Sequence, residues 1–311
     1  MSEEPERLMK GSSLKYRLDP WFAWTTRACA GAIFLVILAM ALGLVWNSRL
    51  SLREFGPGFL VSDAWDPVRS NYGALSSIYG TLVSTLIAMA LAVPLALVTA
   101  LFLVELAPPL LSAVVGVGVE LLAAIPSIIY GMWGLFVFAP FLADHVQPRL
   151  QSTLGFLPLF QGPPMGIGML TAGIILALMI LPFICAVSRD VFRMVPAVVK
   201  ESAYGMGATT WEVTRKVTVR YGIRGIVGAC FLGLGRAIGE TMAVTFVIGN
   251  DHRISASLFG AGNSIASTLA NEFTEASDPL YLSALVELGL VLLGITLLIQ
   301  GIAHLWLRRI R

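Results

Sequence analysis

This sequence has little charge. Only 13% of its 311 residues are Asp, Glu, Lys or Arg, against 57% hydrophobic, whereas soluble globular proteins carry about 25% charged residues. A soluble chain of this composition would expose far too much apolar surface, which argues against a water-soluble enzyme. The same apolar excess excludes disorder. With a net charge of +2, no basic excess points to nucleic acid. Cysteine is scarce too: Cys29, Cys185 and Cys230 all lie inside apolar runs, which excludes a disulfide framework and predicts small core hydrophobes. His145, His252 and His304 are scattered, without metal-binding spacing. None of the four lysines, Lys10, Lys15, Lys200 and Lys216, follows a glycine, so no phosphate-binding loop for ATP is present.

What the sequence has instead is long apolar runs. A helix crossing a hydrocarbon layer of about 30 Å needs about 20 mostly apolar residues. Six stretches qualify, at about 28–46, 72–104, 110–140, 166–187, 223–248 and 280–307. Backbone groups in lipid must be satisfied internally, so each is predicted to be a helix. The alternation of a membrane barrel is missing. Ala39-Met40-Ala41 resembles a signal-peptide cleavage site but lies inside the first run, so that run is expected to be a retained anchor.

The basic residues set a topology. Fifteen Lys and Arg fall in the tail through Arg27, the loop 188–224 and the C-terminal end, against five in the loops 47–71, 141–165 and 249–279. Both termini and the 188–224 loop are therefore expected in the cytoplasm. The expected divisions are a tail 1–27, a first transmembrane helix with its outer loop at 28–71, a five-helix domain at 72–307 holding the cytoplasmic loop 188–222, and a C-terminus 308–311. Trp21, Trp24, Trp46 and Trp306 read as interfacial anchors near span ends.

Two segments carry chemistry. In the loop 188–224, small residues Ser202, Ala203, Gly205, Gly207 and Ala208 alternate with Tyr204, Met206 and Trp211. The small residues allow another surface to approach closely, and the large ones supply anchors. A solvated loop that merely fixes topology is the competing reading. The second segment is the pair Arg236 and Glu240 in the fifth run. An ionisable residue at membrane depth costs about 2.5 kcal/mol or more. The i, i+4 spacing predicts one helix face and ion-pair reach. Arg236 then either meets an anion on a path with Glu240 holding it, or the two form a neutralised structural pair. Gly235 and Gly239 suggest close helix packing. Glu120 and Glu287 are candidates for a polar interface or an outer mouth, and Pro126 and Pro182 for kinks.

These residues carry a resemblance. Glu201-Ser-Ala203 with Gly207 resembles the EAA loop of ABC-importer permeases, although Val217-Thr-Val219-Arg220 has arginine where that pattern has proline. Glu120-Leu-Leu-Ala-Ala-Ile-Pro-Ser-Ile-Ile-Tyr-Gly-Met-Trp-Gly-Leu-Phe136 is similar to the third span of phosphate-specific permeases. Leu232-Gly-Leu-Gly-Arg-Ala-Ile-Gly-Glu-Thr-Met-Ala-Val244 is similar to their fifth, and Gly262-Asn-Ser-Ile-Ala-Ser-Thr-Leu-Ala-Asn-Glu-Phe273 to their last outer loop. Together with Tyr79-Gly-Thr81 and Ser202-Ala-Tyr-Gly205, the match spans about residues 70–300 and resembles PstC-type permeases of phosphate ABC importers.

The resemblance implies an all-α integral membrane protein with six transmembrane helices and type I ABC importer architecture, in a bacterial inner membrane. It implies a second, PstA-type permease, two PstB-type ATPase subunits and a periplasmic PstS-type phosphate-binding protein as partners. ATP and Mg would be bound by the ATPase subunits, with no cofactor and no metal in this chain. By position, Glu201, Ala203, Tyr204, Gly205 and Gly207 would couple to the ATPase, while Arg236 and Glu240 would lie on the substrate pathway. A permease for molybdate or sulfate, and a phosphate-status signalling subunit, are the alternatives. A membrane enzyme finds no nucleophile–base constellation.

Overall fold

A computed structural model describes residues 4–309, with side-chain surroundings from residue 20 onward. The helices, in chain order, are α1 (Glu4–Asn47), α2 (Arg49–Glu54), α3 (Leu75–Leu106), α4 (Pro109–Ala124), α5 (Ser127–Leu154), α6 (Met169–Arg193), α7 (Ala197–Gly205), α8 (Thr210–Ile238), α9 (Met242–Val247), α10 (Ile265–Glu272) and α11 (Pro279–Arg309). Six of these are long and apolar enough to cross a membrane: the 20–47 part of α1, and α3, α5, α6, α8 and α11. A two-residue hairpin pairs Trp65 with Tyr72 and Asp66 with Asn71.

The expected tail 1–27 does not separate from the first span. From residue 4 it is one helix with it, while residues 1–3 lie outside the described residues. At the other terminus Arg308 and Arg309 close α11, and 310–311 lie outside the described residues.

Two of the six expected spans are placed differently. The run 110–140 is broken at Ile125-Pro126: α4 ends at Ala124, and α5 starts at Ser127 as the crossing helix. Proline removes a donor and pushes the residue before it out of the helical region, and Ile125 is extended at ψ 128°. The fifth crossing begins earlier than expected, at Thr210, and stops at Ile238. Gly239, Glu240 and Thr241 then interrupt it before α9. At its other end the helix runs unbroken through Arg220, because arginine, unlike proline, lets it continue.

The core is built around α3 and α6. Ala88, Ala92, Ala96 and Ala100 recur every fourth residue on α3 and are all fully buried. Without large side chains the two backbones approach closely, as in membrane helix pairs generally. At Gly173 of α6 an added Cβ would meet Ile87 at 2.5 Å. Ile175, Ile180, Ile184 and Phe192 of α6 complete this core. Cys185 is buried in it, Cys230 is half-buried, and Cys29 is exposed on α1, so only part of the cysteine expectation holds. The four tryptophans expected as anchors are more than half exposed near span ends.

The end opposite α7 is packed by polar groups. Gly80 on α3 approaches Asn263 so closely that a Cβ would lie 1.8 Å from its carbonyl oxygen. The Ile265 N–H donates to Thr81 Oγ1 at 3.0 Å, and Ser77 and Thr268 hydroxyls lie 3.2 Å apart. Glu272 is the hub beyond them. It accepts from Trp65 Nε1 and the Tyr281 hydroxyl, both at 2.7 Å, and lies 3.0 Å from His252 Nε2. Burial pushes the Glu272 carboxyl up, but those hydrogen bonds outweigh it and hold it below the usual glutamate range. A depressed carboxyl stabilises the fold above its unfolded value, and the contribution is lost as pH falls through the folded value. Hydrogen-exchange protection of 249–264 is therefore expected to stay level from pH 7 to about 5 and to drop below that. Glu272→Gln should lower it already at pH 7; a wild-type profile in that variant would remove Glu272 from the role of hub.

Candidate functional site

Arg236 and Glu240 do not share a helix face. α8 ends at Ile238 with Gly239 as its cap, so the i, i+4 geometry never forms. Glu240 Oε1 accepts from the Ala243 N–H at 3.2 Å, capping the start of α9. A carboxylate there satisfies an otherwise orphaned amide. Among the described residues, Arg236 forms no ion pair. It is exposed, with its guanidinium 5.2 Å from the centre of the Phe183 ring on α6. Phe183 is itself 38% exposed. A cation stacked on an aromatic face keeps its hydrogen-bonding edge free. The arrangement is an uncompensated planar cation on an open face of membrane-crossing helices, which suits an oxyanion.

The glycine expectation is corrected as well. Gly235 packs against Gln300, whose Nε2 would lie 2.9 Å from an added Cβ, whereas Gly239 lies past the helix end with no close side chain. The tightest glycines of α8 are Gly225, with Val191 at 2.4 Å, and Gly233, with Ile184 at 2.6 Å.

The loop expected over 188–224 is mostly helix. α6 carries through Arg193 and α8 starts at Thr210, which leaves a short turn holding α7. The end of α7 explains the glycine of the Glu-x-Ala pattern. Ala208 N–H donates to Ala203 O at 3.2 Å and Gly207 N–H to Tyr204 O at 2.9 Å. Gly207 has φ +83°. That is a Schellman stop, in which the residue after the cap must be left-handed, a conformation open to glycine. Thr209 then starts α8 with a capping box: its hydroxyl accepts from Glu212 N–H, and Glu212 Oε2 accepts from Thr209 N–H at 3.1 Å. The segment is thus a helix–turn–helix with defined caps rather than an irregular loop.

Of the five residues expected at this contact, Glu201, Tyr204, Gly205 and Gly207 are exposed. Ala203 is not; it is 8% exposed and packs inward. Its small size serves the approach of α7 to its own chain. Met206, at 84% exposure, and Trp211, at 68%, join the open side.

Four charged residues were not legible as partners in the sequence. Glu105, in the last turn of α3, accepts from Lys200 Nζ of α7 at 2.6 Å and from the Thr218 hydroxyl of α8 at 2.9 Å. Glu120 of α4 pairs with Arg189 of α6. Glu120 therefore finds its partner within this chain, although its side chain stays 56% exposed. Glu287 is 3% exposed in α11, so it lies inside this chain and not on a surface open to a second one. Pro182 sits inside α6 without ending it, unlike Pro126.

Residues 73–311 match the sequence profile of a family described as binding-protein-dependent transport system inner membrane component. Among curated relatives, a protein of Mesorhizobium japonicum named phosphate transport system permease protein PstC is 54% identical over 94% of this chain and 90% of its own. One of Pasteurella multocida with the same name is 53% identical, over 93% and 91%. Among solved structures, a chain of a bacterial alginate ABC transporter superposes with TM-score 0.60 at 17% identity, covering 98% of this chain and 97% of that one. A chain of the MetNI methionine ABC transporter gives 0.53 at 18% identity, over 78% and 95%. At such identities the likeness concerns the fold alone, which is that of type I ABC importer permeases.

Proposed function

The chain belongs to the family of binding-protein-dependent transport inner membrane components, and from that premise we propose that it is the permease subunit of an ATP-driven importer of inorganic phosphate. It is a multi-pass inner-membrane protein. The end carrying α7 faces the cytoplasm together with both termini, following the excess of Lys and Arg at that end. There α7 docks on one of two PstB-type ATPase subunits, which bind ATP and Mg. A PstA-type permease completes the path, and a PstS-type binding protein delivers phosphate from the opposite side.

The observation that carries this reading is Arg236. A guanidinium at membrane depth costs about 2.5–3.5 kcal/mol to place there, and here no carboxylate among the described residues offsets it. An anion that passes and leaves is the partner for which such a cation is suited. Glu240, fixed at the start of α9 four residues on, bounds the site with negative charge and limits over-tight binding. The open side of α7, with Glu201, Tyr204, Gly205 and Gly207, seats in the ATPase and transmits its rigid-body motion.

The test is phosphate uptake by cells whose own importer permeases are deleted, with excess sulfate or molybdate as competitor. Uptake restored by this chain with its partners, and resistant to both competitors, is the expected result. Uptake blocked by one of them would reassign the substrate. Absence of flux from an assembled complex with active ATPase would favour a signalling subunit.

A further inference from the structure

On the import reading above, ATPase motion entering at α7 would pass directly into α8, the next helix in the chain. A second route leaves α7 through charge pairs. Lys200 lies on α7 itself, and its partner Glu105 sits three residues before the extended Pro108 that starts α4. Both side chains are shielded, 18% and 8% exposed. Thr218 adds a bond to the same carboxylate oxygen. Shielded charges attract more strongly than exposed ones, so this junction is stiff.

The far end of α4 is fastened too. Glu120 pairs with Arg189, four residues before the end of α6 that leads into α7. Gly116 makes room for that guanidinium, since a Cβ there would lie 2.2 Å from Arg189 Nη1. Beyond Glu120 the helix breaks at Pro126, and the Tyr130 hydroxyl bridges the break by donating to Leu122 O at 2.9 Å. α5 then meets α9, where a Cβ on Gly131 would lie 3.0 Å from Ala243 Cα. α9 is the helix that Glu240 caps.

We propose that α4 is a second transmission lever, tied to the coupling helix through the end of α3 that leads into it, where Glu105 pairs with Lys200, and to α6 by Glu120–Arg189, and that it carries ATPase motion across the Pro126 hinge to α9, which follows Arg236 in the chain. The inference rests on the ATP-driven phosphate import proposed above. Glu105, Lys200, Glu120 and Arg189 are positioning residues, since none of them touches substrate or ATP.

The test measures ATP hydrolysed per phosphate imported by the reconstituted complex of this chain, its second permease and its ATPase, with binding protein. Glu105→Gln and Lys200→Met should still co-purify with the ATPase and hydrolyse ATP, while the ratio rises about tenfold. The double exchange of Glu105→Lys with Lys200→Glu should bring the ratio back towards wild type, an effect that mere loss of stability does not produce. Glu120→Gln, at a half-exposed carboxylate, should raise the ratio as well and remains informative if the buried variants do not assemble. A wild-type ratio in these variants, or a charge exchange as uncoupled as the single changes, overturns the lever. Absence of ATP-dependent phosphate uptake in the wild-type complex would instead defeat the import reading itself.

Discussion

Arg236→Ala lowers phosphate uptake about 30- to 150-fold while the complex still assembles and its ATPase still works. The guanidinium is exposed, stacked on Phe183, and free of any ion pair among the described residues. Its removal makes no buried carboxylate an orphan, because Glu240 is occupied at the α9 amide. Folding is therefore spared, and an intramembrane charge cost is relieved. What is lost is the charged hydrogen bonding to the anion, about 2–3 kcal/mol, which corresponds to a fall in uptake of about 30- to 150-fold. Arg236→Lys keeps the charge but loses the planar fork, so it should fall between the two. Radiolabelled phosphate uptake, normalised to assembled complex, reads the effect. Wild-type uptake by the alanine variant would remove Arg236 from the path.

Gly207→Trp should detach or uncouple the ATPase. The position is left-handed at φ +83°, and the Schellman bonds from Gly207 and Ala208 depend on it. A residue with a Cβ pays about 1–2 kcal/mol there. In the isolated chain nothing lies within 4 Å of an added Cβ, so the position is open to a docked partner, which an indole would obstruct. The two effects separate by a control: Gly207→Asn accepts the left-handed conformation and adds little bulk, and should retain most transport. Co-purification of the ATPase and uptake should drop about tenfold or more in the tryptophan variant. Unchanged co-purification and transport would show that α7 is not the docking element.

How much of this was legible depended on whether the signal was local. Apolar runs fixed four of the crossings because length and composition decide them. The runs 110–140 and 223–248 were misplaced because hydropathy does not register a break: Pro126 and Gly239 are themselves compatible with an apolar stretch, yet they end helices. The Arg236–Glu240 pairing failed for the same reason, since i, i+4 reach presumes an unbroken helix. Gly207 stands out by pattern, while its cause, a left-handed cap, is a property of the backbone that the pattern does not contain. The partners Glu105–Lys200 and Glu120–Arg189 lie 95 and 69 residues apart, a separation at which no local spacing rule operates. Arg189 counts in the sequence as a topology-setting loop charge, but α6 runs four residues past it and it is buried where Glu120 and Gly116 of α4 receive it.

The central claim is that phosphate crosses this chain under ATP power. Its most direct test is phosphate uptake in proteoliposomes holding the chain with its second permease and ATPase, ATP inside and binding protein outside. ATP-dependent accumulation of phosphate, lost in the Arg236→Ala complex although ATP hydrolysis continues, is the predicted result. Equal accumulation with and without ATP, or undiminished accumulation by the Arg236→Ala complex, would contradict it.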